Sequence, residues 1–87
     1  MSLTALEKGK LKIAAHAREE LERAGILFES IQCKSGGAIT PPDIVRLVVT
    51  VDGALNYVDL QAQDVEDCEH IVAGETWRKI AALIDGI

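Results

Sequence analysis

Two alternating apolar runs, 45–51 and 54–60, meet across Asp52-Gly53, and no other feature of the 87 residues restricts the fold as much. Asp-Gly between such runs favours a two-residue β-hairpin, because both positions tolerate positive φ. The turn then sets the register by arithmetic. Val51 faces Ala54, Val49 faces Asn56, Leu47 faces Val58 and Val45 faces Leu60, an almost wholly apolar side. The reverse side carries Thr50–Leu55, Val48–Tyr57, Arg46–Asp59 and Ile44–Gln61, with opposite charges directly across from each other. A slip of one residue would destroy both patterns together.

The elements around the hairpin follow from caps and periodicity. Thr4-Ala5-Leu6-Glu7 has the form of a capping box and opens a helix over 5–24. Gly25 suits the left-handed position after that helix, with Ile26 folding back onto Leu21. Leu6, Ile13, Ala14, Ala17, Leu21 and Ala24 form its apolar stripe, and Glu19–Arg23 and Arg18–Glu22 are spaced to pair on the exposed side. Gly9 weakens the first turns. Leu11 and Ala15 lie off the stripe, where a neighbouring subunit can reach them. Residues 26–34 read as an edge strand, with Leu27, Glu29, Ile31 and Cys33 on one face.

The stretch 35–42, with Gly36, Gly37, Pro41 and Pro42, is a flexible loop. Asp64 is placed to cap a short helix bearing Val65, Cys68, Ile71 and Val72 and ending at Gly74. A last helix over 75–85 places Trp77, Ile80, Ala81 and Ile84 on one side. A fourth strand at 69–72 competes with the helical reading of 65–73, but early acids suit a helix N-terminus. The expected architecture is one α+β domain spanning 1–87: a three-stranded antiparallel sheet with helices 5–24 and 65–85 packed on one face. Met1-Ser2-Leu3 reads as a vector-derived leader. The element order is similar to that of the double-stranded-RNA-binding module. Glu75-Thr76-Trp77-Arg78-Lys79 departs from that family's basic start to the last helix; topology alone does not carry function, so no family is assigned.

Charge is unevenly distributed. The net charge is −5; residues 1–46 hold seven basic and six acidic side chains, and residues 47–87 hold two basic and eight acidic ones. The C-terminal half would repel phosphate backbones, which disfavours direct nucleic-acid binding. No apolar run approaches the roughly 20 residues of a membrane span. With no export signal and two cysteines, reduced thiols in the cytoplasm are the expected setting.

No constellation of residues announces catalysis or metal binding. His16, Cys33, Cys68 and His70 include soft ligands, but only Cys68-x-His70 is closely spaced, and on a helix these two point about 200° apart. Lys34 beside Cys33 would aim to the opposite face of a strand and leave the thiol unactivated. Ser35-Gly36-Gly37 leads into prolines rather than a helix, unlike a phosphate-binding loop. Neither a cofactor nor an enzyme is expected.

A surface remains. If the helices cover the Val45 and Leu47 side, the other side presents Ile44, Arg46, Val48, Leu55, Tyr57 and Asp59. An exposed apolar patch with aromatic and Arg residues is the usual mark of protein binding. The leading expectation is a non-enzymatic protein-interaction module, homodimeric through the open sheet face or the first helix. The second is an acidic inhibitor that holds a basic, nucleic-acid-binding partner through Asp64, Glu66, Asp67, Glu69 and Glu75.

Overall fold

The computed structural model describes residues 3–35, 43–70 and 74–87. Helix α1 (Ala5–Arg23) leads into strands β1 (Ser30–Ser35), β2 (Ile44–Val51) and β3 (Ala54–Gln61), then helices α2 (Ala62–Glu66) and α3 (Gly74–Asp85). The sheet is antiparallel in the order β1-β2-β3, and the chain is an α+β fold. Residues 1–2 of the expected leader 1–3, residues 36–42 of the expected loop 35–42, and Ile71 and Val72 lie outside the described residues.

Three local signals, the Thr4 cap, the Gly25 cap and the Asp52-Gly53 turn, have a physical counterpart. The Thr4 hydroxyl accepts the Glu7 N–H at 3.1 Å, satisfying one free donor of the α1 N-terminus. At the other end Gly25 takes φ +74°, and Ile26 and Gly25 donate to the Leu21 and Glu22 carbonyls at 2.9 and 3.1 Å. That pair of bonds is a Schellman motif, and it returns Ile26 to the core. Asp52 and Gly53 both have positive φ, 51° and 77°, as the two-residue turn requires. All eight cross-strand pairs from Val51–Ala54 to Ile44–Gln61 take the expected register.

The helices cover one face of the sheet. Val45, Leu47, Val49 and Leu60 pack with Ile13, Ala17 and Leu21 of α1, Val65 and Cys68, and Ile80 and Ile84 of α3. This is an aliphatic core, stabilised by burial rather than by aromatic stacking.

Four expectations are corrected. The first strand begins at Ser30 rather than 26, because Ile26 is taken by the helix cap and the Glu29 carboxylate turns back to accept the Gly53 N–H at 2.9 Å. Helix α2 starts at Ala62, three residues before the expected start, and ends at Glu66, so Cys68 lies beyond it rather than on it; Asp64 sits in its first turn rather than at the cap. The Ala62 N–H donates to the Asp43 carbonyl at 2.7 Å, which turns the chain into helix as soon as β3 ends. In α3 the buried line is Thr76, Ile80 and Ile84, so Trp77 lies on the flank, 43% exposed, tilted against the His16 ring at 5.8 Å. On α1, Arg23 pairs with Glu20 at 2.8 Å, the residue next to the expected Glu19, at a spacing of three rather than four.

Gly9 is buried where α1 meets Val65. A Cβ there would lie 1.8 Å from the Val65 carbonyl oxygen, so only glycine permits this helix crossing. Its cost to helix propensity is the condition for α1 and the α2 segment to pack.

Candidate interaction surface

The face of the sheet away from the helices is built by the even-numbered residues of β1 and β2 and the odd-numbered residues of β3. Alternation puts Ser30, Gln32 and Lys34 beside Ile44, Arg46, Val48 and Thr50, with Leu55, Tyr57, Asp59 and Gln61 beyond them. Leu55 is 68% exposed and Tyr57 55% exposed. Val48, expected as a contact residue, is only 6% exposed: it occupies the central strand between Gln32 and Tyr57 and forms the floor of the patch.

Arg46, Tyr57 and Asp59 form one connected unit. Arg46 donates to both Asp59 carboxylate oxygens, at 2.7 and 3.1 Å, and its guanidinium lies 4.3 Å from the centre of the Tyr57 ring. A bidentate pair holds the planar guanidinium in a single orientation, and the ring stacks on it. The hydrogen bond from Arg46 holds the Asp59 carboxyl below its ordinary pKa, and the same contact raises that of Arg46. Both groups are therefore charged throughout the neutral range. The unit arises because residues 46, 57 and 59 sit side by side or diagonally on one face of the hairpin.

The proposed acidic segment is dispersed. Asp64 and Glu66 are half-buried on α2, and Asp67 accepts from Gln63 at 3.2 Å. Glu69 is paired with Lys8 of α1 at 3.1 Å, and Glu75 opens α3. Two of its five carboxylates, Asp67 and Glu69, thus already have partners within the chain.

The thiols are free but shielded. Cys33 faces the helices, donating weakly to the Lys10 carbonyl at 3.6 Å, and burial pushes its pKa up to about 11 despite the nearby Lys10 charge. Such a thiol is protonated at neutral pH and a poor nucleophile. Cys68 is buried and donates to the Asp64 carbonyl at 3.2 Å. Among the described residues no three His, Cys, Asp or Glu side chains converge as a metal cluster would require.

A second surface was only half visible in the sequence. Between α1 and β1 runs a shallow groove with hollows of about 340 and 450 Å³, lined by Leu3, Leu11, Ala14, Ala15, Ile31 and Cys33. Leu11 and Ala15 were marked by lying off the helix stripe. Ala14 belongs to the apolar stripe of α1 and Ile31 to one face of the edge strand, and the gap that leaves them half-covered depends on how far α1 stands from that strand. No described helix is long and apolar enough to cross a membrane. Set against protein-family models, curated proteins and solved structures, the chain matches none.

Proposed function

We propose that the chain is a non-enzymatic protein-interaction module that receives another polypeptide on the open face of its sheet. The observation that carries this reading is the exposed Leu55 and Tyr57 side chains, set beside a guanidinium already held by Asp59. An aromatic ring and an Arg whose conformations are fixed before contact lose little entropy on binding, the property that makes such residues anchors. Val48 provides an apolar floor, and Gln32, Thr50 and Gln61 a polar rim. Two free thiols suit a reducing compartment, the cytoplasm.

The test compares the wild-type chain with Tyr57→Asp and Leu55→Asp in parallel affinity capture from the native host. Both sites are exposed, so circular dichroism and melting should stay near wild type. A partner retained by the wild type and lost by both variants supports the reading. Equal capture by all three refutes it. Val48→Asp is unsuitable, since a buried charge would disturb the sheet itself.

A further inference from the structure

We infer that the outer edge of β1 and the adjoining flank of α1 form a self-complementary surface that pairs with a second copy of this chain. Among the described residues, β1 has a strand neighbour only on its β2 side. The hairpin turn makes Val51–Ala54 a hydrogen-bonded pair, so the odd residues of β2 bond to β3 and the even ones to β1. By the β1–β2 register, Ser30, Gln32 and Lys34 bond inward, and Ile31 and Cys33 direct their N–H and C=O groups outward. An edge of this kind accepts another strand.

The side chains of the same two residues face the groove beside α1. In the groove Leu11, 61% exposed, and the small Ala14 and Ala15 offer apolar area with room for a close neighbour. The helix runs antiparallel to β1. Lys10 touches Cys33 and Ser35 near one end, whereas Arg18 lines the hollow beside Ile31 at the other.

A two-fold axis through Gln32, perpendicular to the sheet, places Ile31 opposite Cys33 of the second copy and joins the two sheets into six strands. It also sets the two α1 helices antiparallel on one face, with Leu11 and Ala14 at their contact. Glu7 with Lys10 lines one end of the groove and Arg18 with Glu19 the other, so each end meets both signs of charge on the second copy, and each Glu7 comes to the Arg18 of the other copy. This charge complementarity, with the antiparallel edge, is why the occupant is a second copy rather than an unrelated strand.

The experiment measures mass by sedimentation equilibrium over a concentration series. The wild type should sediment at twice its 9.4 kDa chain mass. Leu11→Glu, at an exposed position, should raise the dimer dissociation constant by at least about tenfold while keeping the wild-type helical signal. Glu7→Arg should weaken the dimer, and Glu7→Arg with Arg18→Glu should restore it. In a Cys33→Ser background, Gln32→Cys lies on the axis as a non-hydrogen-bonded pair, about 4.5 Å between Cα atoms, and should form an intermolecular disulfide on mild oxidation.

A wild type that stays monomeric at hundreds of micromolar overturns the inference. So does a dimer that Leu11→Glu and the charge reversal leave intact. If Leu11→Glu fails to fold, the Gln32→Cys crosslink decides: its absence overturns the proposal. Tyr57→Asp should leave this dimer unchanged, so failure here and failure of the open-face reading are separable.

Discussion

Gly9→Ala opposes two rules of helix energetics, and the structure decides which wins. Alanine in a helix interior is more favourable than glycine by about 1 kcal/mol, so propensity alone predicts a more stable protein. The new methyl carbon, however, would lie 1.8 Å from the Val65 carbonyl oxygen, 2.7 Å from its carbonyl carbon and 3.0 Å from its Cγ1. Close C···O contacts begin near about 3.3 Å, so the two backbones must separate by roughly 1.5 Å. Gaps of half to one ångström already forfeit about a quarter to a half of each dispersion contact, and overpacking costs of order 1–3 kcal/mol. The seam between α1 and the Val65–Cys68 segment would open along its length. The net expectation is a loss of about 2 kcal/mol, a fall in melting temperature of roughly 8–16 °C for a domain of this size.

Urea and thermal unfolding at one fixed protein concentration measure it, since self-association would otherwise shift both midpoints. A peptide covering 4–25 supplies the control: there Gly9→Ala should raise helicity. Val65→Ala should not rescue the variant, because the obstacle is the backbone carbonyl. A Gly9→Ala protein as stable as the wild type, with the peptide still gaining helix, would refute the packing argument.

Two further expectations concern pH. The Cys33 thiol has a folded pKa raised to about 11, so its neutral form favours folding fully below the ordinary thiol value near 9. Stability should therefore decline as pH rises from 9 towards 11, and Cys33→Ala should flatten that slope in urea midpoints. Asp59 has the opposite sign: its pKa is depressed by Arg46, so its contribution is present above the ordinary carboxylate pKa of about 3.9 and lost as pH falls through the lower folded value. Asp59→Asn should remove this acid limb, and about 0.5 M salt should shrink it in the wild type, because the pair is solvent-exposed.

The parts legible in the sequence were those governed by neighbours along the chain. The turn at Asp52-Gly53, the Thr4 cap and the Gly25 cap each depend on a few residues whose backbone preferences are strong. The Arg46–Asp59 pair followed from the turn. The parts that were not legible depend on distant groups. Gly9 reads as a weak helix residue until Val65 is known to lie against it. Glu29 reads as an inward strand position until the Gly53 N–H is found within its reach. Adjacent positions on α3 differ by only about 100°, and helical spacing groups Trp77 with Ile80, Ala81 and Ile84. Thr76 took the place through alignment with Ile80 and Ile84.

The two proposed surfaces act together through the sheet. Pairing along β1 leaves β3 at each outer rim of a continuous six-stranded sheet. With neighbouring strands about 4.8 Å apart, five spacings put the two Tyr57–Leu55 patches roughly 24 Å from each other on the same face. A multimeric or repetitive partner could then engage both patches, and the second contact would form at the high effective concentration of a tethered site. Leu11→Glu touches neither patch, so it should leave the affinity for one isolated partner unchanged and weaken retention on a densely coated surface. A variant that lowers both equally would mean that α1 itself contacts the partner, and the division of labour between edge and face would have to be abandoned.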